Sequence, residues 1–89
     1  MMYPYMVLAD ETEITHSHLI EENGVQSVEV HFERPKEGGF DVARCALPTY
    51  TWIKRDGFTD EEIKAFDRFL HSNAHLLFKF AASGGINIA

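Results

Sequence analysis

Cysteine is almost absent from this chain, which contains only Cys45 among its 89 residues. One cysteine cannot form a disulfide within the chain, and small secreted domains usually depend on several. We therefore expect a protein of the reducing cytoplasm. Cys45 lies in the apolar run from Val42 to Leu47, and this setting indicates a buried structural thiol rather than a reactive one.

Positive charge is also scarce, because eight Lys and Arg residues face fourteen Asp and Glu residues and leave a net charge of −6. A phosphate backbone would meet mostly repulsion, so nucleic-acid binding is disfavoured. An accessory subunit of a nucleic-acid enzyme stays as a third hypothesis, which depends on a basic patch near the loops. Its cations would be Arg34, Lys36, Arg44, Lys54 and Arg55.

Long hydrophobic runs are missing as well. The apolar segment from Met1 to Leu8 is short, has no leading positive charge and continues into Asp10 and Glu11. It fits neither a signal peptide nor a membrane span, so we expect a soluble, untargeted protein. With 45% hydrophobic and 12% aromatic residues, the chain has a globular composition, and its length supports one domain over residues 1–89.

The motifs of common enzymes are absent too. The sequence contains no nucleophile elbow, no Cys-His signature and no glycine-rich phosphate loop. His71 and His75 have the i, i+4 spacing of zinc-protease helices, but the glutamate that should follow the first histidine is missing. The sequence therefore favours a protein without catalytic activity and without a cofactor.

The residues that are present predict strands before Gly57 and a helix after it. Two β-like runs, 14–20 and 25–33, flank Asn23-Gly24, a pair typical of a type I′ hairpin turn. Further strands are predicted at 3–9, 40–47 and 49–53, with a turn at 34–39 between two of them. Pro4 favours an edge position for the first strand, because proline cannot donate to a ladder.

A long C-terminal helix is predicted from Thr59, which forms a capping box with Glu62, to the glycine stop at Gly84-Gly85. Ser72-Asn73 is a candidate point for a kink or a split, and Ile86-Asn87-Ile88 for a short final strand. The expected fold class is α+β: a small antiparallel sheet of four to five strands with this helix on one face.

Three of the five histidines fall on the predicted hairpin. If Asn23 and Gly24 form its two-residue loop, His16 lies opposite His31 and His18 opposite Glu29, all on one face. Directly opposed side chains are about 5 Å apart at Cβ, so these imidazoles and the carboxylate could bind zinc or a similar divalent metal. The alternative is that they form the ordinary polar face of a half-exposed sheet.

The main functional hypothesis is a small cytoplasmic binding or regulatory module that acts through its sheet. A two-layer fold of this size has little stability to spare, and an open sheet edge is an aggregation hazard. We therefore expect a homodimer that covers a sheet edge or the strip from Ile14 to Ile20, with a further protein partner possible. The competing hypothesis is a metal-binding protein that uses His16, His18, His31 and Glu29.

Overall fold

In the computed structural model, which describes residues 1–85, six strands precede one long helix. The strands are β1 (Met2–Val7), β2 (Glu13–Ser17), β3 (Ile20–Glu22), β4 (Val25–Lys36), β5 (Gly39–Leu47) and β6 (Thr51–Asp56), and the helix is α1 (Asp60–Ser83). All strand pairs are antiparallel, in the order β1-β2-β4-β5-β6, and β3 pairs with β4. The predicted α+β class is confirmed, whereas the final strand predicted at 86–88 lies outside the described residues.

The hairpin turn forms where the sequence predicts it. Asn23 and Gly24 have φ angles of 51° and 77°, the positive values of a type I′ turn, and Glu22 lies opposite Val25. The register then changes, because the three residues from Ser17 to Leu19 stand opposite only two on β4. Beyond this bulge the pairing predicted for β2 is wrong by one residue.

Two hydrogen bonds hold the bulge in place. The Ser17 hydroxyl accepts from the Glu29 amide at 3.0 Å, so a side chain replaces the backbone partner that a regular ladder would supply. The Leu19 amide donates to the carbonyl of Ala81 at 3.2 Å, in the last turn of α1. The end of the helix therefore takes part in setting the strand register.

The core lies between α1 and one face of the sheet. Val28, Val30 and Phe32 on β4 are fully buried, as their alternation predicts. Cys45 is also fully buried, and desolvation, helped by the negative charge of Asp67, raises the pKa of its thiol to about 12. This confirms a structural thiol. The buried residues of α1 are Ile63, Phe66, Leu70, Leu77 and Ala81.

Helix α1 continues through Ser72-Asn73 as one element, so the split considered there does not occur. The side-chain amide of Asn73 has hydrogen-bond partners on both the helix and the sheet. It donates to the Phe69 carbonyl of α1 at 2.9 Å and accepts from the Tyr5 hydroxyl of β1 at 2.7 Å. Gly84, with φ 82°, ends the helix in the left-handed conformation. Among residues 1–85, no helix combines the length and the apolar character that a membrane crossing requires.

The capping box at the start of α1 gives a first testable prediction. The Thr59 hydroxyl accepts from the Glu62 amide at 3.1 Å, and the Glu62 carboxylate accepts from the Thr59 amide at 2.9 Å. We expect Thr59→Ala to lower the free energy of unfolding by about 1 kcal/mol. Urea denaturation followed by circular dichroism measures the change. Thr49→Ala is the control, since within residues 1–85 that exposed hydroxyl has a hydrogen bond only with the hydroxyl of Thr51. Equal losses in both variants would contradict the capping role.

An ion cluster around Arg34 joins the helix start to the sheet. Its guanidinium donates to Asp41 at 2.8 and 2.9 Å, to Asp10 at 3.2 Å and to Glu62, and Lys36 lies 2.9 Å from Asp41. Lys36 and Arg34 lower the pKa of Asp41, and Arg34 lowers the pKa of Glu62. Thr12, with a smaller contribution from Arg34, lowers the pKa of Asp10. Four separate parts of the chain therefore meet at one cation.

Candidate interaction surface

The register shift separates His16 from His31 and Glu29, two of the other candidate metal ligands. His16 pairs with Val30 instead of His31, and this turns its ring into the core, where it is fully buried. The His16 ring lies against Tyr3 and Tyr5, with ring centroids 5.7 and 6.2 Å away. Its Nδ1 donates to the Ser17 carbonyl at 2.8 Å, and its Nε2 is buried with no hydrogen-bond partner in the described chain.

His31 lies on the opposite face of the sheet, across from Thr15. Its Nε2 is 2.7 Å from the Glu29 carboxylate, so these two candidates are brought together along β4. His18 is exposed in the bulge. Within residues 1–85, no three His, Cys, Asp or Glu side chains are grouped as a metal ion would need. Metal binding by His16, His18, His31 and Glu29 stays a prediction, but the alignment on which it depended is wrong.

The same shift removes one of the two expected dimer surfaces. Ile14 pairs with Phe32 and is 1% exposed, so it belongs to the core and not to a surface strip running to Ile20. The other two histidines lie on α1. His71 stacks on Tyr50 with 3.9 Å between ring centroids, and His75 is exposed.

The sheet face opposite α1, here called the outer face, carries the alternate side chains of the central strands. On β4 they include Glu29, His31 and Glu33, and on β5 they are Val42, Arg44 and Ala46, all of them partly exposed. One row crosses four strands in direct register, and its members are Thr15, His31, Arg44 and Lys54. This row places two positively charged residues, Arg44 and Lys54, next to each other on the outer face of a protein with a net charge of −6.

The two edges of the sheet differ in charge. Within the described residues the sheet ends at β1 on one side and at β6 on the other. Strand β1 has no charged side chain, and Met6 and Val7 are 43% and 65% exposed. Strand β6 carries Lys54, Arg55 and Asp56. The position predicted from Pro4 is confirmed, since β1 is an edge strand.

A cavity of about 370 Å³ runs beside β1. Its lining includes Tyr3, Tyr5, Met6 and Ile14, together with Gly85 just after the helix. Gly85 has φ 102°, and a Cβ at this position would lie 3.0 Å from the Tyr3 ring, so a glycine permits the close approach. The result is an apolar hollow next to a strand edge that no other strand of residues 1–85 covers.

Comparison with known proteins finds no similarity: no family model, no curated protein and no solved structure matches the chain. Any functional proposal therefore depends on the geometry of the chain itself.

Proposed function

We propose that this chain is a non-enzymatic binding module that self-associates through the edge of β1. In the proposed homodimer, β1 of one copy pairs with β1 of a second copy about a two-fold axis. The supporting observation is the contrast between the two sheet edges, since β6 carries three charged residues and β1 carries none. The proposal includes a cytoplasmic location, which the lone buried thiol of Cys45 favours.

The exposed edge of β1 is the type of surface that proteins normally protect. An edge strand offers unpaired amide and carbonyl groups, and charged side chains usually prevent a second chain from adding to it. Strand β6 has such charges at Lys54 and Arg55, whereas β1 exposes Met6 and Val7. A partner for β1 would remove both the open backbone groups and the exposed apolar side chains from water.

Charge explains why this edge suits a second copy. Two molecules of net charge −6 repel each other, so a stable contact must avoid their carboxylates. Pairing at β1 places an uncharged strand against an uncharged strand, and the same patch serves both copies, as a two-fold interface requires. The adjacent cavity offers apolar space for side chains that an added strand would contribute.

Val7→Lys is the variant that tests this interface. Because of the two-fold symmetry, it introduces two lysines into one dimer contact, and we expect at least a tenfold weaker association, equivalent to about 1.4 kcal/mol. Sedimentation equilibrium across micromolar concentrations is the measurement, and we expect the unchanged chain to be dimeric there.

Ile53→Lys is the matched control, because Ile53 is 56% exposed on β6 and Val7 is 65% exposed on β1. This variant should remain dimeric, and circular dichroism should show that both variants are folded. A monomeric unchanged chain, or equal weakening by both lysines, would overturn the proposed interface.

A further inference from the structure

Arg44 occupies the centre of the outer face and lacks the partners that the other central cation of the sheet has. Its Nε is enclosed by the protein and has no hydrogen-bond partner in residues 1–85. Arg34, by contrast, meets three carboxylates. Enclosed polar groups in folded proteins nearly always have a partner, and the chain, a water molecule or a bound ion supplies it.

A second cation, Lys54, lies next to Arg44. Lys54 lies directly opposite Arg44 on β6, and neither side chain has a carboxylate within ion-pair distance in the described part of the chain. On the other side, His31 lies opposite Arg44 and is bonded to Glu29, so that carboxylate already has a partner. Glu33 is opposite Val42, one diagonal step from Arg44.

Geometry allows one anion to reach both cations. Directly opposed residues in an antiparallel pair have Cβ atoms about 5 Å apart, so the ends of Arg44 and Lys54 can converge on a single group. On the same strand, the flanking side chains of Val42 and Ala46 are small and apolar, and Arg44 as a residue is partly exposed on the outer face although its Nε is enclosed. The net charge of −6 opposes anion binding, but charges beyond about 8 Å are largely screened at physiological salt. The carboxylates that still act on this site are those of Glu29, Glu33 and Asp56, each one diagonal step from Arg44 in the sheet.

We infer that Arg44 and Lys54 form a binding site for an oxyanion, the carboxylate or phosphate group of a small ligand. The Arg44 guanidinium is the main contact, because its planar fork matches two oxygens of such a group, and the Lys54 ammonium adds a point charge. The site lies on the outer face and is separate from the β1 edge, so it does not depend on the proposed dimer.

Proton–nitrogen NMR of the labelled full chain tests the site by titration with sodium phosphate and, separately, with sodium acetate at constant ionic strength. We expect the Arg44 Nε–H signal and the Ala43 and Cys45 amides to shift saturably, with a dissociation constant of about 1–10 mM. Saturation by phosphate alone identifies a phosphate site, and saturation by both anions identifies a general oxyanion site.

Two glutamine variants make the test specific. Arg44→Gln should abolish the saturable amide shifts, whereas Arg68→Gln should leave them unchanged, since Arg68 is an exposed residue of α1. Unchanged amide positions elsewhere confirm that Arg44→Gln is folded. The inference is overturned if neither anion saturates the shifts below about 50 mM, equivalent to roughly 2 kcal/mol of binding free energy, or if the shifts persist in Arg44→Gln.

Discussion

Replacing Arg34 with methionine should lower the free energy of unfolding by about 3 kcal/mol. Methionine keeps much of the aliphatic stem that covers Phe58, whose ring centre is 4.7 Å from the guanidinium carbon, but it removes the charge. The Asp41 side chain, which is 9% exposed, then has Lys36 as its remaining ion-pair partner. The carboxylates of Asp10, Asp41 and Glu62 all lose the cation that they share. Urea denaturation followed by the fluorescence of Trp52 measures the loss.

Arg55→Met is the matched control for this cluster. Arg55 forms one ion pair, with Asp60, and their side chains are 43% and 83% exposed. Exposed pairs of this kind contribute roughly 0–1 kcal/mol, so the control should change stability by no more than that. Equal effects of the two substitutions would show that the Arg34 cluster contributes no more than an ordinary surface pair.

The pH dependence of the Arg34 effect has a definite sign. The pKa values of Asp41 and Glu62 are lowered from their ordinary values of 3.8 and 4.5 in the folded chain. A carboxyl group with a lowered pKa stabilises the fold above its unfolded pKa, and this contribution is lost as the pH falls through the folded pKa. The difference in free energy of unfolding between the unchanged chain and Arg34→Met should therefore have its full value at neutral pH and become smaller below about pH 4.

Local sequence signals predict the elements whose stability is itself local. The Thr59 capping box and the glycine stop define the ends of α1 within a few residues, because the groups that satisfy a helix end lie next to it in the chain. Asn23-Gly24 likewise fixes the hairpin tip and the three pairs nearest to it. In both cases, the deciding contacts join residues only a few positions apart.

The hairpin register fails at the first contact that is not local. The bulge at Ser17 is stabilised by the link from the Leu19 amide to the Ala81 carbonyl, which joins the hairpin to the far end of the helix. Residues 14–33 by themselves carry no signal for this bond. One residue of slip moves every side chain to the opposite face, so His16 and Ile14 enter the core and the histidine cluster divides.

The segment at Arg34-Pro35-Lys36 also departs from the structure that its sequence predicts. Its composition predicts a turn, but β4 continues to Lys36 and pairs as far as Gly39 on β5. Proline is tolerated there because β2 pairs with β4 only as far as Glu33 in the described chain, so Pro35 lies beyond the end of that neighbour. The Arg34 cluster could not be predicted, since its carboxylates are 7 to 28 residues away in sequence.

The outer-face row and the β1 edge were partly predictable. Side chains alternate along 42–47, so a buried Cys45 implies that Arg44 points away from the core. Pro4 predicts an edge strand, and β1 is one. The pairing of Arg44 with Lys54 was not predictable, because the register of β5 and β6 contains a bulge after Arg44. Residue types therefore indicated the outer face and the β1 edge, whereas the strand pairing determined that Arg44 and Lys54 are neighbours on the outer face.

Phe32→Ala should produce the largest loss of stability, about 4 kcal/mol. Phe32 is fully buried, its ring stacks on Phe66 at 4.3 Å, and it also contacts Trp52 and Phe69. Truncation leaves a cavity where β4, β6 and α1 meet, and the rigid neighbours on three sides limit collapse into it. Urea denaturation monitored by far-ultraviolet circular dichroism is the appropriate measurement, because Trp52 fluorescence would itself change.

Phe40→Ala is the matched control, since this phenylalanine on β5 is 57% exposed and its truncation should cost less than about 1 kcal/mol. If Phe32→Ala does not fold, Phe32→Leu should lose about 1–2 kcal/mol and keep the comparison measurable. A Phe32 variant as stable as the Phe40 control would mean that the stack on Phe66 does not form the centre of the core. The placement of α1 across this face of the sheet would then be wrong, because that stack is a direct contact between helix and strand.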